Sequence, residues 1–145
     1  MPYGIDHKKY SELIPLLRIT ACCAKFVRAF AAHFNSQYFQ FSVCSLTYAK
    51  TVWIKAEQQF FYADMINALK HSKRNDSVRK LNLYLDNEGI IRCQHWLHQA
   101  SLPINARQPI LLAPLNQLYF TKLIVSYFHG LTFHQGTTYT LNVSR

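Results

Sequence analysis

Beyond Glu88 the sequence contains no aspartate or glutamate, and the whole chain has only seven carboxylates against sixteen lysines and arginines. Nucleases and polynucleotidyl transferases that use two metal ions hold them with clustered carboxylates. The seven here are scattered through the front of the chain without pairing, which excludes such a phosphoryl-transfer centre and leads us to expect a protein that is not an enzyme. No apolar run approaches the roughly 18 residues that mark a membrane span. The N-terminus, Met1 to Lys9, also lacks the apolar core of a secretory signal. Cys22, Cys23, Cys44 and Cys93 form neither a CxxC motif nor the spaced framework of a small secreted domain, so free thiols are expected. Together these absences predict an intracellular protein, cytoplasmic or nuclear, with no membrane partner.

Half of the 145 residues are hydrophobic, enough for one modest core or two small ones. The formal charge of +9 favours attraction to nucleic acid or to an anionic membrane surface, though a merely basic surface would give the same number.

Ser11 can cap a helix that starts near Glu12, with Pro15 tolerated in its first turn. Leu13, Leu16, Leu17, Ile19, Cys23, Phe26, Val27 and Phe30 then recur at spacings of three and four, which predicts a wide apolar face. Residues 35–45 have no clear period and read as a connection. Thr47 is a candidate cap for a second helix reaching Lys70, on which Glu57 and Asp64 read as solvated charges. His71 to Lys80 holds a single hydrophobic residue and reads as a linker. Its Lys73, Arg74, Arg79 and Lys80 could touch phosphates or simply be solvated.

After the linker the period changes to two. Leu81, Leu83 and Leu85 alternate with Asn82 and Tyr84, Asp86 to Gly89 supplies a turn, and Ile90 to Leu97 runs on, which predicts a hairpin. Pro109 to Pro114 reads as a short third strand at an edge, because proline cannot donate to a ladder. Helical spacing returns from Leu115 to His129-Gly130, and Gly136-Thr137 opens a last helix too short to stand alone. The fold class expected is α+β: an N-terminal helical pair, then a small antiparallel sheet, then further helices. The expected division falls at residues 1–75 and 76–145.

Histidines 129 and 134 are the most suggestive chemical pair, one at the end of a helix and one near a glycine. A structural zinc site needs four ligands, and no closely spaced second pair follows before Arg145. Cys93, His95 and His98 could in principle complete the set, since residues 93 and 95 share a strand face. Surface histidines beside Trp96 equally need no metal.

Several stretches, in order, resemble the polyproteins of Pao/BEL-type LTR retrotransposons. Ile5 to Ser11 and Leu16 to Val27 are similar to the segment after the RNase H region. Arg79 to Arg92, with its Leu85-Asp86 and Gly89-Ile90-Ile91-Arg92, resembles the segment before integrase. Leu102-Pro103, Pro109 to Pro114, Leu123-Ile124, His129, His134, Gly136 and Leu141 resemble the start of the integrase zinc-binding domain of the HHCC type. The sequence departs from the family at Arg92-Cys-Gln-His-Trp-Leu97, where two glycines and an arginine are missing.

The resemblance implies that His129 and His134 match the two histidine ligands of that domain. It places the ligand cysteines and the catalytic core downstream of the matching stretch. The expected site in this chain is therefore incomplete, with zinc a cofactor of the intact family domain and none bound tightly here. It implies a non-catalytic polyprotein fragment with an ancestral role in DNA integration. The partners expected are DNA, held through Lys73, Arg74, Arg79, Lys80, Arg92 and Arg107, and other polyprotein segments or further copies of the chain. A freestanding basic module that binds nucleic acid or oligomerises is the alternative.

Overall fold

The computed structural model describes residues 2–31, 43–71, 75–94, 107–114 and 118–132. Two short 3-10 turns, Pro2–Gly4 and His7–Lys9, lead into helix α1 (Leu13–Ala31). There follow α2 (Val43–Phe61), α3 (Ala63–Lys70), α4 (Asp76–Lys80), strands β1 (Leu83–Leu85) and β2 (Ile91–Cys93), and α5 (Tyr119–Leu131). The architecture is α+β: helices predominate, beside a two-stranded antiparallel sheet. Among the described residues no helix is long and apolar enough to cross a membrane.

Helix α1 starts at Leu13 with Pro15 in its first turn, where a missing N–H leaves no helical bond unmade. Its buried stripe differs from the expected one. Leu13, Leu16, Leu17, Thr20, Ala21 and Ala24 turn inward, while Ile19, Phe26, Val27 and Phe30 face out. The reason is contact with α2: Ala21, Ala24 and Ala49 are buried, and small side chains let two helix backbones approach closely. Thr20 sits on this seam. Its Oγ1 donates to the Leu16 carbonyl at 2.8 Å and accepts the indole N–H of Trp53 at 2.8 Å, so the buried Trp53 has no unmet donor.

The single helix expected from Thr47 to Lys70 is two helices, and it begins earlier. Thr47 lies inside α2, because nothing in Val43 to Leu46 breaks a helix. The break falls at Tyr62, whose backbone (φ −115°, ψ 29°) leaves the helical region. The Tyr62 hydroxyl donates to the Leu112 carbonyl at 3.1 Å, tying the bend to the sheet edge. The expected linker also differs. Asn75 Oδ1 accepts from the N–H groups of Ser77 and Val78, and this cap starts the five-residue helix α4 within it.

A hairpin forms where expected but is shorter: Leu81 caps α4 instead of opening the first strand, and β2 ends at Cys93, with Leu83 opposite Cys93 and Leu85 opposite Ile91. Asp86 organises the turn. Its Oδ1 accepts from the N–H groups of Glu88 and Ile90, and Gly89 takes the left-handed conformation (φ 76°) that glycine adopts without strain. The third strand is reduced to one bridge between Ile110 and Arg92. Cys93 N–H donates to the Pro109 carbonyl and Leu111 N–H to that of Ile91, so Pro109 joins the edge only as an acceptor.

The principal core joins Leu16 and Leu17 of α1, Trp53 and Ile54 of α2, Ile90, and Phe120, Leu123 and Ile124 of α5. It therefore draws on residues from both sides of position 75. Trp53 stacks on Phe120 at 5.6 Å. A second cluster sets Ile66 of α3 against Leu83 and Ile91. Helix α5 starts at Tyr119, after an extended Leu118 and not at Leu115 as expected, and continues through His129 and Gly130 to Leu131, one residue beyond expectation. Residues 115–117, the end of the expected second strand at 95–97, and the expected last helix after Gly136 lie outside the described residues.

Candidate functional site

His129 occupies the last turn of α5, half-buried. Thr132 closes that turn, its N–H donating to the Phe128 carbonyl and its Oγ1 to the His129 carbonyl at 3.0 Å. The imidazole is thus carried on a helix end held in place by a buried threonine. His134 lies outside the described residues, as do His95, His98, Lys73 and Arg74. Among the described residues no group of three or more His, Cys, Asp and Glu side chains is placed to hold a metal. Cys93 is half-buried on β2, and burial raises its thiol pKa, which disfavours the thiolate needed for nucleophilic attack or metal ligation.

The four described residues of the expected basic set do not lie together on one element. Arg79 and Lys80 are exposed in the last turn of α4, where cations also complement the helix dipole. Arg107 is half-buried ahead of the edge strand. Arg92 braces the hairpin, its Nε pairing with Asp86 Oδ2 at 2.7 Å and its Nη1 donating to the Gln108 carbonyl at 3.0 Å. Burial alone would raise the Asp86 pKa. The bonds from Arg92, Ile90 N–H and Glu88 N–H outweigh it and hold the carboxyl below its ordinary range.

No family model, curated protein or solved structure matches the chain.

One ionisable arrangement in the core escaped the sequence reading. Glu57 is only 8 % exposed and faces the start of α5. Its Oε1 accepts from Phe120 N–H at 3.1 Å and its Oε2 from Thr121 Oγ1 at 2.8 Å. This corrects the expectation of a solvated charge, although Asp64 is exposed as expected. Burial raises the Glu57 pKa, and the hydrogen bonds from Thr121 and Phe120 together with nearby His7 oppose the rise only in part. The His7 ring packs against Trp53 at 5.4 Å and Tyr119 at 5.8 Å. With both carboxylate oxygens engaged by α5, Glu57 acts as a helix cap supplied from a different helix. The signal available in the sequence was its spacing, four residues after Trp53 and eight after Ala49, both of them buried.

Proposed function

We propose that this chain is a non-catalytic segment of a retrotransposon polyprotein, from the region between RNase H and integrase. In this reading α5 and the residues after it supply two ligands, His129 and His134, to an integrase zinc-binding module of the HHCC type. The observation that carries the reading is the ordered series of motifs from Ile5 to Leu141. Two features of the fold support it. The stretch Leu85 to Arg92 closes as a hairpin turn in which Asp86, Gly89 and Arg92 each play a definite part. Helix α5, packed on α1 through Leu123 and Ile124, delivers His129 at its end. The role in DNA integration is assembly on DNA, with exposed Arg79 and Lys80 contributing charge.

Zinc stoichiometry tests the proposal. Two imidazoles make half of a four-ligand structural site, so the chain alone retains well under one zinc per molecule after dialysis. Fused to a segment carrying a CxxC pair, as the family has downstream, it takes up one zinc per molecule. His129→Ala or His134→Ala then abolishes the uptake. Tight one-to-one uptake by the unfused chain, or no gain on fusion, overturns the reading.

A further inference from the structure

Residues 13–56 contain no carboxylate, yet they carry Arg18, Lys25, Arg28, Lys50 and Lys55. Within this acid-free stretch α1 turns two aromatic rings outward: Phe26 and Phe30 are 56 % and 70 % exposed. One helical turn apart, they lie nearly parallel, with ring centroids separated by 6.4 Å and planes tilted by 25°. Beside them opens a hollow of about 470 Å³ lined by Tyr3, Cys22, Cys23, Phe26 and Val27. Tyr3 is hydrogen-bonded to Tyr48 on α2, and the guanidinium of the exposed Arg28 lies 4.3 Å from the centre of the Tyr48 ring. Phe26 and Tyr3 share the hollow, and the tyrosine pair leads from it round α1 to the guanidinium of Arg28.

Local charge is positive here. The hydrogen bond from Tyr3 lowers the Tyr48 pKa against the opposing effect of burial, and Arg28 and Lys55 lower it further. Exposed apolar side chains that lie together, unlike ones scattered singly, call for a partner. The cations select among partners. An apolar protein face would cover the rings but leave Arg28 without counter-charge. A duplex would offer phosphates but keeps its base faces stacked inside. A flexible polyanion with free ring faces satisfies both demands, since any base can stack on an aromatic side chain while phosphates meet cations.

We infer that this surface binds single-stranded nucleic acid, with bases stacked on Phe26 and Phe30 and backbone phosphate held by Arg28. The site uses neither of the histidines on which the zinc reading depends, so each can fail alone.

Fluorescence anisotropy of a labelled oligothymidine with the full chain tests the inference. The single strand binds more tightly than a duplex of equal length, and binding weakens as salt is raised. Phe26→Ala and Phe30→Ala each lower affinity about fivefold or more, the smaller end of what one stacked base contributes. Phe26→Tyr retains binding, whereas Phe26→Leu, apolar but without a ring face, loses it. Arg28→Ala weakens binding and makes the salt dependence shallower by about 0.7 in logarithmic slope. Because these side chains are exposed, melting temperatures stay unchanged. Undiminished binding by the Phe26→Ala/Phe30→Ala double variant, or equal affinity for duplex, overturns the inference. So does failure to bind the oligonucleotide together with a dimer that the double variant dissolves, since the rings would then join copies of the chain.

Discussion

Leu118, the residue at the N-cap of α5, has no side-chain oxygen, and the first turn behind it contains no acidic residue. Both deficits are met from α2 by Glu57, which accepts two of the donors at that helix start and places a carboxyl at the positive end of the dipole. Burial nevertheless raises its folded pKa above the unfolded value of about 4.3. The folded state therefore binds the proton more tightly, so the stability contributed by this group is complete below the unfolded pKa and is lost as pH rises through the folded one. Glu57→Gln keeps an acceptor for Phe120 N–H and can donate from Nε2 to Thr121 Oγ1. It should therefore melt at or above the wild-type temperature at neutral pH, with the difference shrinking in acid. Glu57→Ala leaves both donors unmet and should cost about 1–3 kcal/mol at either pH. Thermal melts at neutral and acid pH measure both effects, and a glutamine variant as unstable as the alanine one would show that the cap is not what matters here.

At the scale of elements, the joint between helices and sheet rests on Gln58, the neighbour of that cap. Its Oε1 accepts Ile91 N–H at 2.8 Å, and its Nε2 donates to the carbonyls of Ile91 and Leu111. One buried amide thus bonds to β2 and to the edge segment beyond it. Gln58→Leu removes all three bonds and leaves an amide N–H buried without a partner, at a cost of about 1–3 kcal/mol. Hydrogen exchange should then speed at Ile91 and Leu111 while the amides of α1 remain protected; equal loss across both would mean that Gln58 supports the whole core instead. The sequence disclosed some of this architecture and hid the rest for definite reasons. The hairpin was legible because Asp86 and Gly89 state their turn chemistry locally. The segment from Pro109 to Pro114 was legible as an edge partner but not as what it is, a single bridge, because its weak pairing is set by β2 and not by local pattern. The roles of Glu57 and Gln58 were not, since a polar residue on a helix reads as solvated until its distant partner is known, and Phe120 and Ile91 lie far along the chain. The α1 stripe misled for a related reason: hydrophobicity pointed to Phe26 and Phe30, whereas close packing on α2 selected Ala21 and Ala24. Of the candidate site, His129 was placed at a helix end correctly, while the tyrosine pair under Arg28 joins elements that no local pattern connects.

For the molecule as a whole, the decisive question is whether residues 1–75 can stand apart from residues 76–145. Trp53 and Leu16 share their core with Ile90, Phe120, Leu123 and Ile124, all four of which come from the second segment. Burying each such side chain contributes about 1.5–3 kcal/mol. Their combined loss is comparable with the roughly 5–15 kcal/mol that holds an ordinary domain folded. A fragment ending at residue 75 would also lose the Phe120 ring from the face of Trp53 and the side-chain bonds made by Glu57 and Gln58. We therefore expect the fragment to show no cooperative unfolding transition in urea, while the full chain gives one transition whose fluorescence and circular-dichroism midpoints coincide. Two separable midpoints in the full chain, or a fragment that retains a sharp transition of its own, would establish two independent units and make the shared core a docking contact between them.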